Sequence, residues 1–116
     1  MKDKIGDRQR LFHIIDAINE IDDYTSTVEF AEFSKNAMMR FASVKQIEII
    51  GEAANLITPE VRYKYKEIEW RQIIGLRHIL VHEYFGIDFD LIWQIIKKDI
   101  PALKKEVIKM LKLIDE

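Results

Sequence analysis

Trp70-Arg71-Gln72-Ile73-Ile74-Gly75-Leu76-Arg77-His78-Ile79-Leu80-Val81-His82-Glu83-Tyr84-Phe85 is the stretch on which the fold turns. It contains no proline, and its apolar residues do not alternate as those of a half-buried strand would. On a helical wheel at about 100° per residue, Trp70, Ile74, Val81 and Tyr84 gather in a sector around Arg77, with His78 and His82 beside it. The spacing predicts one helix from about Glu69 to Phe85. Gly86 suits its end, since glycine enters the left-handed conformation without a side-chain clash.

Outward from this segment the same periodicity recurs. Leu11, Ile14, Ile15, Ile18 and Ile21 form one apolar stripe on a helix from about Asp7 to Tyr24, with Asp7 a suitable cap for its first N–H groups. Thr27 is a second candidate cap, for a short helix through Phe30 and Phe33. A longer helix over about Asn36 to Leu56 is expected to turn Met38, Phe41, Val44, Ile47, Ile50 and Ala54 inward, with Ile57 just beyond it. Gly51, Ala53 and Ala54 leave room for a close neighbour. Thr58-Pro59-Glu60 reads as a cap with proline at the first helical position, and a short turn from Val61 to Lys66 follows. On the C-terminal side, Asp88 starts a helix with Leu91, Ile92, Ile95 and Ile96 inside. Pro101 is expected to kink or interrupt it after Ile100, and Leu103, Val107, Met110, Leu111 and Ile114 carry the stripe onward. The fold class expected is all-α. It is an up-and-down antiparallel bundle of four to five main helices plus short ones, forming a single domain over residues 1–116.

Bulk properties bound the function. With 116 residues, 48% hydrophobic and 33% charged, the chain has the balance of a folded globular protein. No apolar run approaches the roughly 18 residues of a membrane span, and the charged N-terminus lacks the apolar stretch of a secretory signal, so a cytoplasmic location is expected. Cysteine is absent, which excludes disulfides and thiolate metal sites. A net charge of -2 gives no global attraction to nucleic acid, so any RNA contact must come from a local cluster of cations.

That cluster is sought around Arg77. Burying a guanidinium beside an apolar stripe is costly unless a partner or ligand compensates. Arg77 and His82 are separated by about 7.5 Å along a helix axis and roughly 140° around it, so they flank a groove rather than share one oxygen. A two-fold dimer packing this helix against its copy would bring two arginines and two histidines to one cleft. Such a site suits cleavage of RNA without a metal. An imidazole takes the proton of a ribose 2′-hydroxyl or returns one to the leaving oxygen, and a guanidinium grips the phosphate and its developing charge. His82 is assigned the acid–base role, Arg77 the phosphate, and His78 a supporting one. The bland alternative is a salt-bridged surface pair. His78 and His82 also have the four-residue spacing of metal ligands, but Ile79 stands where a His-Glu-x-x-His motif needs glutamate, so no metal is assigned.

Two further basic stretches stand out. Arg62, Lys64 and Lys66, with Tyr63 and Tyr65 between them, make an auxiliary RNA-binding patch in which aromatics could stack on unpaired bases. Lys97, Lys98, Lys104, Lys105, Lys109 and Lys112 alternate with acids and read as a solvated face.

The pattern Arg77-x4-His82-x-Tyr84 resembles the signature of the HepT-like branch of the HEPN superfamily. The surrounding blocks resemble it as well: Ile50-Gly51-Glu52-Ala53-Ala54, Thr58-Pro59-Glu60, Trp70-Arg71-Gln72-Ile73, Leu76-Arg77, and Val81-His82-Glu83-Tyr84-Phe85-Gly86-Ile87-Asp88. One departure is His78, where this branch often has asparagine. The resemblance implies a helical homodimer with Arg77 and His82 of both chains in a shared cleft. It implies a metal-independent endoribonuclease toxin, and a partner antitoxin of the MntA-type nucleotidyltransferase kind. That partner would silence the toxin by AMPylation of Tyr84, using ATP as the AMP donor, while the chain itself needs no cofactor. The alternative is a non-catalytic, nucleotide-binding partner subunit of such a transferase. A third reading, from the residues alone, is a helical interaction module whose Arg77 and His82 are incidental.

Overall fold

A computed structural model of the chain describes residues 6–82, 86 and 88–114, with side chains for all of these except 77–82. Helix α1 spans Asp7–Thr25, α2 Phe30–Lys35, α3 Ala37–Leu56, α4 Pro59–Lys64, α5 Trp70–His82, α6 Phe89–Gln94 and α7 Ile100–Leu113, with a π-helical turn, Ile95–Asp99, joining the last two. No strand occurs among the described residues, and the bundle is all-α as expected.

The stripe on α1 does what its spacing requires. Leu11, Ile14, Ile18 and Ile21 are fully buried, facing Val44, Ile47, Ile50 and Ala54 of α3. Two tethers fix the direction of this pair. The start of α1 bonds to the residue group after α3 through Asp7 and Thr58, and its end bonds back to mid-α3 through Tyr24 and Gln46. The helices are therefore antiparallel. Gly51, Ala53 and Ala54 are buried, and α3 packs against both α1 and α5. Small side chains at that crossing let the backbones approach closely.

Helices α1 and α7 are antiparallel too, and each supplies a cation to the other's carboxyl end. Arg8 Nη1 donates to the Leu111 carbonyl at 2.9 Å, and Lys97 Nζ, just before α7, donates to the Thr25 carbonyl at 3.4 Å. The last carbonyls of a helix lack intrahelical donors and carry partial negative charge, so cations settle there. Lys97 also lies 4.6 Å above the Trp93 ring, and that ring packs at a tilt against Phe33, with centroids 4.9 Å apart, and Phe30, at 6.0 Å. This aromatic cluster closes one end of the core.

Several local expectations change. Gly6, not Asp7, holds the cap position of α1; Asp7 is inside the helix, 8% exposed, and its carboxylate accepts from Thr58 N at 2.8 Å and Thr58 Oγ1 at 2.7 Å. A carboxylate in the first turn thus serves a tertiary contact rather than its own helix end. Glu29, not Thr27, precedes α2, with no side-chain cap bond, whereas Asn36 caps α3 by accepting from Met39 N at 2.9 Å. The turn after Thr58 is helical as α4, capped by Thr58 with Pro59 in its first turn. Asp88 caps α6, its Oδ1 accepting from Asp90 N and Leu91 N.

The distortion expected after Ile100 lies before it. Ile100 N donates to the Ile95 carbonyl, the five-residue spacing of a π turn, and Pro101 sits in the first turn of α7. In a regular helix the proline ring would collide with the carbonyl four residues back, here that of Lys97. The wider turn at Ile95–Asp99 relieves such a clash, and the chain is helical on both sides of it. Met38 (78% exposed), Phe41 (51%) and Leu91 (49%), all expected inside, stand outside. Residues 83–85, over which the expected end of α5 falls, lie outside the described residues.

Candidate functional site

Helix α5 carries the predicted motif, and its start is pinned by the chain just before it. Tyr65 and Ile68 are buried, the Trp70 amide donates to the Ile68 carbonyl at 2.8 Å, and Trp70 Nε1 donates to the Tyr65 carbonyl at 3.0 Å inside the core. A buried indole needs a partner for its N–H. Here that partner is the backbone that leads into the helix, so the indole fixes both the position and the entry of α5. Ile73, Ile74 and Leu76 are half-buried against the core. The helix then runs on through Arg77, His78 and His82. Arg77 and His82 therefore share one rigid element, with a rise of about 7.5 Å between them. The side chains of Arg77, His78 and His82, and Tyr84 as a whole, lie outside what is described.

The surfaces around α5 differ in character. A groove of about 590 Å³ runs between the first half of α5 and the α6–α7 segment, walled by Ile68, Ile73, Leu76, Ile95 and Leu103. Gly75 opens onto free space, with no atom within 4 Å of where a Cβ would stand. Glu67, Glu69, Asp99 and Glu106 line the groove against a single described cation, Arg71. Apolar walls with surplus carboxylates repel phosphate, so this groove is no cradle for a nucleic-acid backbone. A second hollow, about 450 Å³, lies between α1 and α3 and is lined by His13, Asp16, Asn19, Glu20 and Gln46. Tyr24 OH donates to Glu20 there at 3.1 Å and accepts from Gln46 Nε2 at 3.3 Å, which ties the polar groups to one another. Among the described residues no group of three His, Asp or Glu side chains is placed to hold a metal ion.

The auxiliary basic patch is partly as the sequence suggests. Arg62 and Lys64 lie on α4 and Lys66 just after it, and Tyr63 between them is 74% exposed with Lys66 Nζ 4.9 Å from its ring. Tyr65 is a core residue, 8% exposed, so it offers no open face for a base. Of the lysines near the C-terminus, Lys97 is spent on Thr25 and Trp93, Lys104 reaches Asp22 at 3.4 Å and Lys109 reaches Glu106 at 3.6 Å. They behave as an ion-paired, solvated face.

A further cluster went unnoticed in the sequence. Phe41 on α3 and Phe89 at the start of α6 meet edge-to-face, with centroids 5.8 Å apart and planes at 89°. The Arg40 guanidinium lies 4.8 Å from the Phe89 ring and 5.9 Å from that of Phe41, and also donates to the Ser34 carbonyl. The available signal was an arginine between exposed apolar positions at a helix start, which periodicity alone assigns to the core.

A helical bundle with Arg77 and His82 on one anchored helix defines a class, and comparison with known proteins agrees with it. The family model described as "Ribonuclease HepT-like" matches residues 14–110, a span that includes Arg77, His82 and Tyr84. The chain is 42% identical over 97 residues to "Putative RNase MJ1380" of Methanocaldococcus jannaschii, covering 84% of this chain and 89% of that one. It is 36% identical over 104 residues to "Putative RNase TTE0752" of Caldanaerobacter subterraneus, covering 90% and 93%. With "Probable ribonuclease HepT" of Thermococcus cleftensis it shares 35% identity over 109 residues, covering 94% and 99%. No solved structure matches the chain significantly. The chain belongs to the HepT-like family of the HEPN superfamily.

Proposed function

We propose that this chain is a metal-independent endoribonuclease acting as the toxin of a toxin–antitoxin pair, with Arg77 and His82 as its catalytic residues. The observation that carries the reading is the motif Arg77-x4-His82-x-Tyr84 lying within the matched region, with Arg77 and His82 on one helix anchored through Trp70. The names of the relatives as ribonucleases support it.

The chemistry is internal transesterification. The ribose 2′-oxygen bonds to phosphorus as the P–O5′ bond breaks, one imidazole takes the 2′-proton, and a protonated imidazole supplies one to the leaving 5′-oxygen. The two imidazoles are His82 of two subunits, so the working unit is a homodimer with a composite cleft. Arg77 pairs with the phosphate and with the charge that grows on it in the transition state. His78, one turn before His82, supports that side chain. No cofactor takes part. An MntA-type nucleotidyltransferase is the antitoxin: the Tyr84 hydroxyl bonds to the α-phosphorus of ATP, pyrophosphate leaves, and the attached adenylate places charge and bulk where substrate phosphate belongs. Arg62, Lys64 and Lys66, with Tyr63, extend the path for RNA.

The test is incubation of purified protein with mixed RNA in excess chelator. Cleavage is expected for the parent and lost in His82→Ala and Arg77→Ala, and sedimentation is expected to show a dimer. Cleavage that survives His82→Ala, or a fully active monomer, overturns the reading. A protein that cuts nothing yet accepts AMP is the non-catalytic partner subunit instead. AMP is expected on Tyr84 by mass spectrometry after incubation with the transferase and ATP; equal labelling of Tyr84→Phe removes that assignment.

A further inference from the structure

The Met38–Phe41–Phe89 cluster asks what covers it. Met38 is 78% and Phe41 51% exposed, and both occupy positions that helical periodicity turns toward the core. With side-chain areas of roughly 150–250 Å², these fractions leave on the order of 200–300 Å² of apolar surface open. A stable subunit interface needs about 800 Å² from each partner. Leu91, two positions after Phe89 and 49% exposed, adds to this surface without bringing it near that area, and Ser34, Lys35, Asn36, Lys45 and Asp90 around it are exposed and polar. Its size is that of one or two planar rings.

Its chemistry and place point the same way. Phe89 supports Phe41 edge-on, and Arg40 lies against both rings while donating to the Ser34 carbonyl. Arg40 is thus committed to holding the rings and adds positive charge beside them. The patch lies at the amino end of the 20-residue helix α3, where the backbone N–H groups and the helix dipole favour an anion nearby. Asp88, the nearest acid in sequence to Phe89 with Asp90, is spent on capping α6. Phe89 follows His82 by seven positions, a separation the chain can span over at most about 25 Å. A strand of RNA leaving the motif end of α5 covers that distance in a few nucleotides.

We propose that Phe41, supported by Phe89 and Arg40 and flanked by Met38, is a stacking platform for an unpaired nucleobase of the RNA substrate. The proposal rests on the ribonuclease reading for its substrate class. Arg40 and Phe89 are positioning residues; Phe41 makes the contact. Stacking on an aromatic ring tolerates any base, so the platform contributes affinity and register rather than sequence choice.

The experiment measures binding separately from cleavage. In the His82→Ala background, anisotropy follows a fluorescein-labelled, unstructured oligoribonucleotide of about 12 nucleotides. Phe41→Ala is expected to weaken binding by about 5- to 100-fold. Phe41→Tyr, which keeps the ring, is expected to bind like its parent. An abasic scan of the oligonucleotide should find a position whose loss matches that of Phe41→Ala and adds little to it. Unchanged affinity in Phe41→Ala, or losses that add at every abasic position, overturns the platform. So does conversion of a dimer to a monomer by Phe41→Ala, which would make the patch a subunit contact. Phe41-dependent binding in a chain that never cleaves RNA keeps the platform and removes the ribonuclease reading; cleavage indifferent to Phe41 does the reverse; absence of both removes both.

Discussion

Replacing Asp7 with alanine removes one acceptor and two tertiary hydrogen bonds at a stroke. The carboxylate is 8% exposed and holds Thr58 N at 2.8 Å and Thr58 Oγ1 at 2.7 Å, joining the first turn of α1 to the link between α3 and α4. A hydrogen bond to a charged group is worth about 1.5–3 kcal/mol, and partial solvent access places both here near the lower end. The expected loss is about 2–4 kcal/mol. At an unfolding entropy of about 2.1 cal/mol/K per residue, a chain of this length loses about 4 °C in Tm per kcal/mol, hence about 8–16 °C. Thr58→Val keeps the backbone bond but loses the hydroxyl, which also accepts from Val61 N at 3.4 Å as the α4 cap, so it should cost about 1–2 kcal/mol. The double variant should cost about 1–2 kcal/mol less than the sum of the two. Urea denaturation followed by circular dichroism reads all three, with an unchanged m-value confirming the same cooperative transition. A loss under about 1 kcal/mol for Asp7→Ala, with strict additivity to Thr58→Val, is what a mere helix cap would give and would refute the tether.

Other expectations follow from the same geometry. Phe33→Ala should cost about 3–5 kcal/mol in the same urea assay, because the ring is fully buried and packs against Trp93 with centroids 4.9 Å apart. Lys104→Ala should change stability by less than about 0.5 kcal/mol, since its bridge to Asp22 joins side chains 35% and 47% exposed. Trp70→Phe should lower stability by about 0.5–1.5 kcal/mol by removing the indole bond to the Tyr65 carbonyl, which keeps its bond from Ile68 N at 3.1 Å, and should reduce RNA cleavage at temperatures where the variant is still folded. Charge reversal of Arg62, Lys64 and Lys66 together should weaken RNA cleavage and flatten its salt dependence; unchanged cleavage dismisses the patch.

The helices were legible because burial on one side imposes a period on the sequence. Ile14, Ile18 and Ile21 show it on α1, and Leu103, Val107 and Met110 on α7. Caps were legible where the side chain serves its own helix, as at Thr58 and Asp88, and illegible where it serves another element, as at Asp7. Periodicity also cannot tell a core position from an exposed one on the same stripe once the helix outruns its neighbours. Met38 and Phe41, in the first turns of α3, are of that kind. The motif was legible as residue types at fixed spacing, and the anchoring of its helix was not. The Trp70–Tyr65 bond joins an indole to a backbone carbonyl, a group that every residue carries.

The π turn before Pro101 has a bearing on how this lineage can vary. A wide turn holds one residue more than a regular one, while the helices on either side keep their own faces. Removing a single residue from Ile95–Asp99, with Pro101 replaced by a residue that carries an N–H, would close the turn without rotating Ile92 or Val107 away from the interior. Relatives can therefore differ by one position at this joint and remain superimposable on both flanks, which makes it a place where an alignment gap carries no loss of fit.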